Sequence, residues 1–352
     1  MGAGRHGTRL GQPATSTVSR LLADLLAEFL LLETPTAAEG AGARFTAAPI
    51  DDYPRHRVAK DSSGRPCLLV SVSAGSTPGP PIVLEHVSLQ HDVECRITHP
   101  DGRSETGRFT VLRCTQGDPA LDEYFLRVCG TILAVVGQQP SDLQVRAAMD
   151  RVVELFRAID APPRKTVQGL WAELLVIARS RDILAMARAW HSLPGDRYDF
   201  SSGTQRVEVK AAMGQVRRHH FQLDQVIPVP GTAVIIASLL VQRAGAGTSV
   251  RDLLSEIRSA ASAEPPVVLQ VDQVTALTLG SGWRQALDEQ FDRHFAENSL
   301  AFFSAAGIPK PDAALPAGVT EVRFCADLTA VTRLEPGGMR DQGGLLRAIL
   351  PN

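Results

Sequence analysis

Leucines recur at helical spacing over residues 17–32, behind a Thr17 and Ser19 start, and predict a packing helix. From His56 to Cys114 the apolar positions run instead in short stretches, at 65–72, 82–89, 93–97 and 109–113. The last two flank an Asp101-Gly102 turn, so this segment reads as an antiparallel β unit of about four to six strands. Two amphipathic helices follow. One spans 121–136 with Phe125, Val128, Ile132 and Val135 on a stripe; the other spans 142–159 with Val145, Met149, Val152, Val153, Leu155 and Phe156. Pro162-Pro163 ends the second.

Beyond the prolines, residues 166–179 read as a helix whose buried stripe is Val167, Leu170, Trp171, Leu174 and Ala178, with Glu173 at its edge. A hairpin is expected over 199–210. Residues 216–226 then read as a helix carrying Arg218, Gln222 and Gln225 on one face. Residues 232–241 have the unbroken apolarity of a strand buried on both faces, and 248–260 form a capped helix. A strand at 267–271, a helix at 283–295, an extended run at 300–303 and a strand at 320–325 complete the expectation. The fold class expected is α/β, a mixed sheet flanked by helices, preceded by an α+β N-terminal domain. The divisions expected are a leader at 1–16, the α+β domain at 17–161, the core at 162–262 and a C-terminal α/β extension at 263–352 packing on the core.

The hairpin carries the chemistry. Tyr198 and Phe200 alternate with Asp199 and Ser201; Val207, Val209 and Ala211 alternate with Glu208, Lys210 and Ala212. A two-residue loop at Ser202-Gly203 pairs Asp199 with Arg206, and one at Gly203-Thr204 pairs it with Glu208. In both registers Asp199, Glu208 and Lys210 share a face, because paired residues point to the same side. Two carboxylates suit a hard divalent cation, and a lysine beside them suits a phosphate under attack by water. The competing reading is an ordinary wet hairpin face.

Composition narrows the classes. The 352 residues are 44% hydrophobic and 21% charged, which is globular rather than disordered. No apolar run reaches the roughly 18 residues of a membrane span. Cys67, Cys95, Cys114, Cys129 and Cys325 are odd in number and without a CxxC pair, as in a reduced cytoplasmic protein without structural zinc. A formal net charge of −2 supplies no global basic field, so a nucleic-acid partner would need a local patch. His86, His91 and His99 share no metal-binding spacing, and Gly280-Ser281-Gly282 falls short of a phosphate loop.

Four segments together carry a resemblance: Gly169-Leu170-Trp171-Ala172-Glu173-Leu174-Leu175, Asp196-Arg197-Tyr198-Asp199-Phe200, Val207-Glu208-Val209-Lys210 and Arg218-His219-His220-Phe221. The chain resembles the PD-(D/E)xK nuclease superfamily, with its restriction-endonuclease-like core, and more narrowly a bacterial family of PD-(D/E)xK motif proteins. Tyr198 stands where the motif has proline.

The resemblance implies a catalytic set of Asp199, Glu208, Lys210 and Glu173. Mg²⁺, or Mn²⁺ as a substitute, would sit on Asp199, Glu208, the Val209 carbonyl and Glu173. Arg218, Gln222, Gln225 and His219 would contact substrate. The activity implied is a DNA endonuclease in the bacterial cytoplasm, serving restriction or anti-phage defence. Its partners would be DNA, other defence-system subunits and a second copy of the chain, with no membrane. Two alternatives stand beside it: a nuclease-fold scaffold that binds DNA without cutting, and acid-base hydrolysis of a small molecule by Glu173 with His191 or His219.

Overall fold

The computed structural model describes residues 17–35, 43–71, 79–138, 140–190, 196–311 and 318–351. The expected leader at 1–16 and His191 lie outside them. The N-terminal part is helix α1 (Thr17–Leu31) and strands β1 (Ala43–Ile50), β2 (Tyr53–Asp61), β3 (Pro66–Ser71), β4 (Ile82–Val83), β5 (Val87–Thr98) and β6 (Ser104–Cys114). The strands pair in the order β1-β2-β3-β6-β5-β4, and β1 also pairs in parallel with β5, from Ala43↔Cys95 to Thr46↔Thr98. That last pairing closes five strands into a small barrel, which removes two open edges. Alternation fills it: Phe45, Ala47, Ala59, Cys67, Leu69, Cys95, Ile97, Phe109 and Val111 form one buried cluster. The intervening Ala48, Val58, Leu68, Val70, Leu89 and Leu112 face a second, larger cluster shared with the helices.

Helices α2 (Pro119–Val136) and α3 (Asp142–Asp160) follow, and Asp118 and Ser141 cap them. Next come α4 (Val167–Ala178), α5 (Ile183–Ala189), β7 (Phe200–Ser202), β8 (Gln205–Met213), β9 (Arg218–Gln222), β10 (Ala233–Val241) and β11 (Arg243–Ser249). The remainder is α6 (Val250–Ala260), α7 (Pro265–Leu279), α8 (Trp283–Leu287), β12 (Gln290–Phe291), α9 (Arg293–Ser299), β13 (Ala301–Ser304), β14 (Arg323–Asp327), α10 (Pro336–Asp341) and α11 (Gly344–Ala348). No described helix is long and apolar enough to cross a membrane.

Two expectations fail in the C-terminal part. Residues 267–271 are not a strand but the first half of α7. Proline is favoured at the start of a helix, and α7 begins on Pro265. Val267, Val268, Val271 and Val274 are then all buried, because α7 is packed by α2 and α3 as well as by α5. The single helix expected at 283–295 is broken into α8, β12 and α9, with Asp292 accepting from the Phe295 N–H to cap α9.

The sheet that positions the site runs β13-β10-β8-β7. Its centre is parallel, Gln205↔Ala233 through Met213↔Val241, and both edge strands are antiparallel. The sheet is therefore mixed, and α4 lies against β8 and β10. β13 comes from beyond residue 262, so segments 162–262 and 263–352 share one sheet. β14 likewise reaches back to pair with β9.

Candidate active site

Gly203 takes φ +51, the left-handed conformation that a tight turn requires. Phe200↔Val207 and Ser202↔Gln205 pair, which fixes the loop at Gly203-Thr204 and sets Asp199 opposite Glu208. β7 begins one residue after Asp199, and the Asp199 carboxylate continues the pairing there: Oδ2 accepts from the Val209 N–H at 2.8 Å. Both acids are buried, Asp199 at 6% exposure and Glu208 at 4%.

Glu173 is also inside, at 3% exposure, on an α4 that is buried from Leu170 to Ala178. Its Oε2 accepts from the Trp190 indole N–H at 2.8 Å, and its Oε1 from Lys165 Nζ at 2.7 Å. The same ammonium donates to Asp199 Oδ1 at 2.6 Å. Lys165 lies one residue before Thr166, whose hydroxyl caps α4, so the helix start aims the lysine. Although burial works against its charge, Asp199 and Glu173 hold the ammonium well above the usual lysine range. Asp199 is raised by burial and by Glu173, against the pull of Lys165 and the Val209 N–H.

On the neighbouring side, Lys210 Nζ donates to Glu208 Oε1 at 2.6 Å and to Gln225 Oε1 at 3.3 Å. Gln225 Nε2 donates to Glu208 Oε1 at 2.8 Å and to the Arg197 carbonyl at 3.2 Å. Lys210 also sits over the Phe221 ring, 5.3 Å from its centroid. Burial and then Asp199 push the Glu208 carboxyl up to about 8, against the two lysines.

The segment expected as a helix at 216–226 is strand β9 followed by a 3₁₀ turn, Leu223–Val226. Pairing with β14, far along the chain, supplies ladder partners that a local helical pattern cannot reveal. Strand parity then divides the expected contact residues. Arg218 and Gln222 are exposed on one face, with His220. His219 turns inward, 3% exposed, with Nε2 2.8 Å from Ser238 Oγ. Burial, then Lys210 and Arg217, bring it down to about 4. Only Gln225 of the four reaches the acids.

The structure thus brings Glu173, Asp199, Glu208 and Lys210 to one end of the sheet as two linked groups, Glu173–Lys165–Asp199 and Glu208–Lys210–Gln225. Three buried carboxylates, with Asp199 raised by burial and by Glu173, and Glu208 raised by burial and by Asp199, form a hard oxygen donor set, and a divalent cation fits it by donor type. They are spread wider than a shared ion would hold them: among the described residues, the group with donor atoms all within 4.8 Å of one another is Glu85, His86 and Asp160. Lys165 answers the charge instead. The sequence reading missed it because Arg164-Lys165 ahead of a helix cap looks like a solvated start; the usable signal was a lysine eight residues before a helical Glu. The expected weak phosphate loop is structural. A Cβ on Gly280 would strike the Ala161 carbonyl oxygen and lie 2.8 Å from Pro162 C.

A mixed sheet with an acid leading into its hairpin and Glu-x-Lys on the next strand is a nuclease-like arrangement of the PD-(D/E)XK kind. The family model described as "Putative PD-(D/E)XK family member, (DUF4420)" matches residues 27–329, and the chain belongs to that family. No curated protein and no solved structure matches the chain.

Proposed function

We propose that the chain is a Mg²⁺-dependent phosphodiester hydrolase, a DNA endonuclease of a bacterial restriction or anti-phage defence set, working in the cytoplasm with other subunits or a second copy. The observation that carries this is the buried Asp199, just ahead of β7, facing the buried Glu208 and half-buried Lys210 of β8, beside Glu173. Mg²⁺, or Mn²⁺ in its place, would be held by Asp199 and Glu208 with the Val209 carbonyl, Glu173 completing the set directly or through a water, and when bound would supply Lewis-acid polarisation and a more acidic water. The chain's own residues do the rest. The Val209 N–H and the Trp190 indole fix the angles of Asp199 and Glu173. Gln225 holds Glu208 by Oε1. Lys210, steadied by Glu208 and Phe221, is the positive charge for a phosphate gaining negative charge during attack.

One observation favours a second reading, a nuclease-fold scaffold that binds DNA without cutting. The Lys165 ammonium bridges Glu173 and Asp199, at 2.7 and 2.6 Å, and so supplies positive charge where a cation would sit.

Incubation of the full chain with Mg²⁺ and supercoiled, linear duplex or single-stranded DNA separates the two. The endonuclease reading expects cleavage that falls at least about 100-fold in Lys210→Ala, with an unchanged circular dichroism spectrum. Cleavage by Lys210→Ala at the wild-type rate would sink it. Calorimetric titration with Mg²⁺ and Mn²⁺ showing no binding, in wild type and Glu208→Ala alike, establishes the scaffold.

A further inference from the structure

β9 and β14 form a two-stranded antiparallel ribbon, Arg323↔Gln222 through Asp327↔Arg218, and no other described strand pairs with either edge. Its two faces differ sharply. Inward, Phe221 and Ala326 are buried with the half-buried Phe324, Phe221 stacks on Phe324 at 5.7 Å, and His219 bonds Ser238. Outward, Arg218, His220, Gln222, Arg323, Cys325 and Asp327 are all exposed. Neither Arg218 nor Arg323 forms an ion pair with a described residue, although the chain has 38 acidic residues to offer. Asp327 opposes Arg218, but its Oδ1 accepts from the Thr329 N–H at 2.9 Å and is tied to its own turn.

We infer that the outward face of the β9/β14 ribbon is a duplex-DNA reading surface that lies in the major groove and delivers the backbone to the Glu208–Lys210–Gln225 end of the sheet. This rests on the endonuclease or DNA-binding reading above. Three arguments choose the occupant. A two-stranded ribbon fits a B-form major groove about 12 Å wide, whereas the A-form RNA major groove is too narrow. The side chains are those that read base edges: arginine forks onto guanine, and glutamine pairs with adenine. Arg218, His220 and Gln222 are alternate residues on one face, about 6.8 Å apart, which is roughly two base-pair rises.

Continuity with the site is the fourth support. β9 runs from Gln222 directly into the turn holding Gln225, and the Gln222 N–H donates to Gln225 Oε1 at 3.1 Å. At that end a cleft of about 420 Å³ opens, lined by Arg197, Gln222, Ile227 and Val322 with the carboxylates of Asp224, which pairs with Arg197, and Glu321. The Arg197 carbonyl on its wall accepts from the same Gln225 that holds Glu208. A strand leaving the groove at Gln222 therefore meets the acids through one residue.

The test is fluorescence anisotropy of the full chain in EDTA, so that binding is read without cleavage. Probes are a labelled 30-base-pair DNA duplex, the matching single strand and a double-stranded RNA. Wild type should bind the DNA duplex best. Arg218→Ser with Arg323→Ser should weaken duplex binding at least about tenfold and reduce the salt slope by about 2. Gln222→Glu, which adds a charge without removing an arginine, should weaken it as well, while Arg347→Ser should not. Equal duplex affinity of the double variant and wild type overturns the proposal, as does tighter binding of single strand or RNA, or no binding of any probe. Lys210→Ala keeps the tenfold ribbon effect. If that effect holds while no DNA is cut, the endonuclease reading fails and the ribbon stands; if cutting needs Lys210 but ignores Arg218 and Arg323, the ribbon fails alone.

Discussion

Lys165 Nζ stands 2.6 Å from Asp199 Oδ1, and the same nitrogen reaches Glu173 at 2.7 Å. Two acids from a helix and a hairpin, 26 residues apart in the chain, are thereby bridged by a lysine from outside both elements. A buried carboxylate pair needs positive charge nearby, and this site can receive it from an ammonium or from a divalent cation. The first is covalently supplied, so it would compete with the second. That competition distinguishes a switchable metal site from a permanent salt bridge.

Lys165→Met leaves Glu173 and Asp199 without that bridge. In metal-free buffer the variant should lose about 1–3 kcal/mol, less than the roughly 3–5 kcal/mol of a fully buried pair because the lysine side chain is about a third exposed. Millimolar Mg²⁺ should then restore more stability to the variant than it adds to wild type. Chemical denaturation with and without Mg²⁺ reads both. Equal Mg²⁺ effects in the two proteins would mean that cation and lysine do not share a place.

Trp190 donates to the Glu173 oxygen that Lys165 does not use. Trp190→Phe keeps most of the ring volume and removes the N–H. A buried carboxylate that loses such a donor should cost about 1–3 kcal/mol by urea unfolding. The proposed phosphodiesterase activity should fall with it, since Glu173 loses one of the donors that fix its angle. Full activity in a folded Trp190→Phe protein would show that the angle of Glu173 does not matter to the reaction.

What the sequence made legible was local. Alternation around Gly203 set Asp199, Glu208 and Lys210 on one face in either register, and only the choice of loop waited for the structure. The apolar run 232–241 and the stripes of α2 and α3 were equally plain, because burial on one or both faces writes itself into neighbouring residues. Pairings across long separations did not. β9 looked helical because its partner β14 begins about a hundred residues later, and the spacing of Arg218, Gln222 and Gln225 matched a helix face by coincidence. The valines of α7 looked like a strand because a helix packed by several others needs no polar face. Lys165 was hidden for a third reason: its charge is explained only by acids that folding brings to it.

Gly280 ends α7 at φ +50, and the Ser281 N–H donates to the Ala161 carbonyl at 2.8 Å. Gly280→Ala would drive a methyl into the Ala161–Pro162 backbone, which has no side-chain freedom with which to yield. The expected cost is about 2–4 kcal/mol from strain and overpacking together. Gly282→Ala, whose Cβ would meet only Pro163 Cγ at 3.6 Å, should cost far less. Thermal unfolding of the pair checks this; similar losses in both would remove Gly280 from the contact between α7 and the end of α3.

His219 gives the pH dependence. Its folded pKa of about 4 lies below the ordinary 6.5, because burial first, and then Lys210 and Arg217, oppose the imidazolium. The unfolded chain therefore binds the proton more readily between those two values, and the folded state loses stability as pH falls from about 6.5 toward 4. The full difference is on the order of 3 kcal/mol, present above pH 6.5 and spent below pH 4. His219→Gln retains a polar group beside Ser238 but cannot titrate, so its stability should change less between pH 7 and pH 4.5 than that of wild type. Urea denaturation at the two pH values measures the difference of differences, in which acids common to both proteins cancel. If wild type and His219→Gln decline in parallel, the imidazole is not the buried neutral group that its place against Ser238 requires.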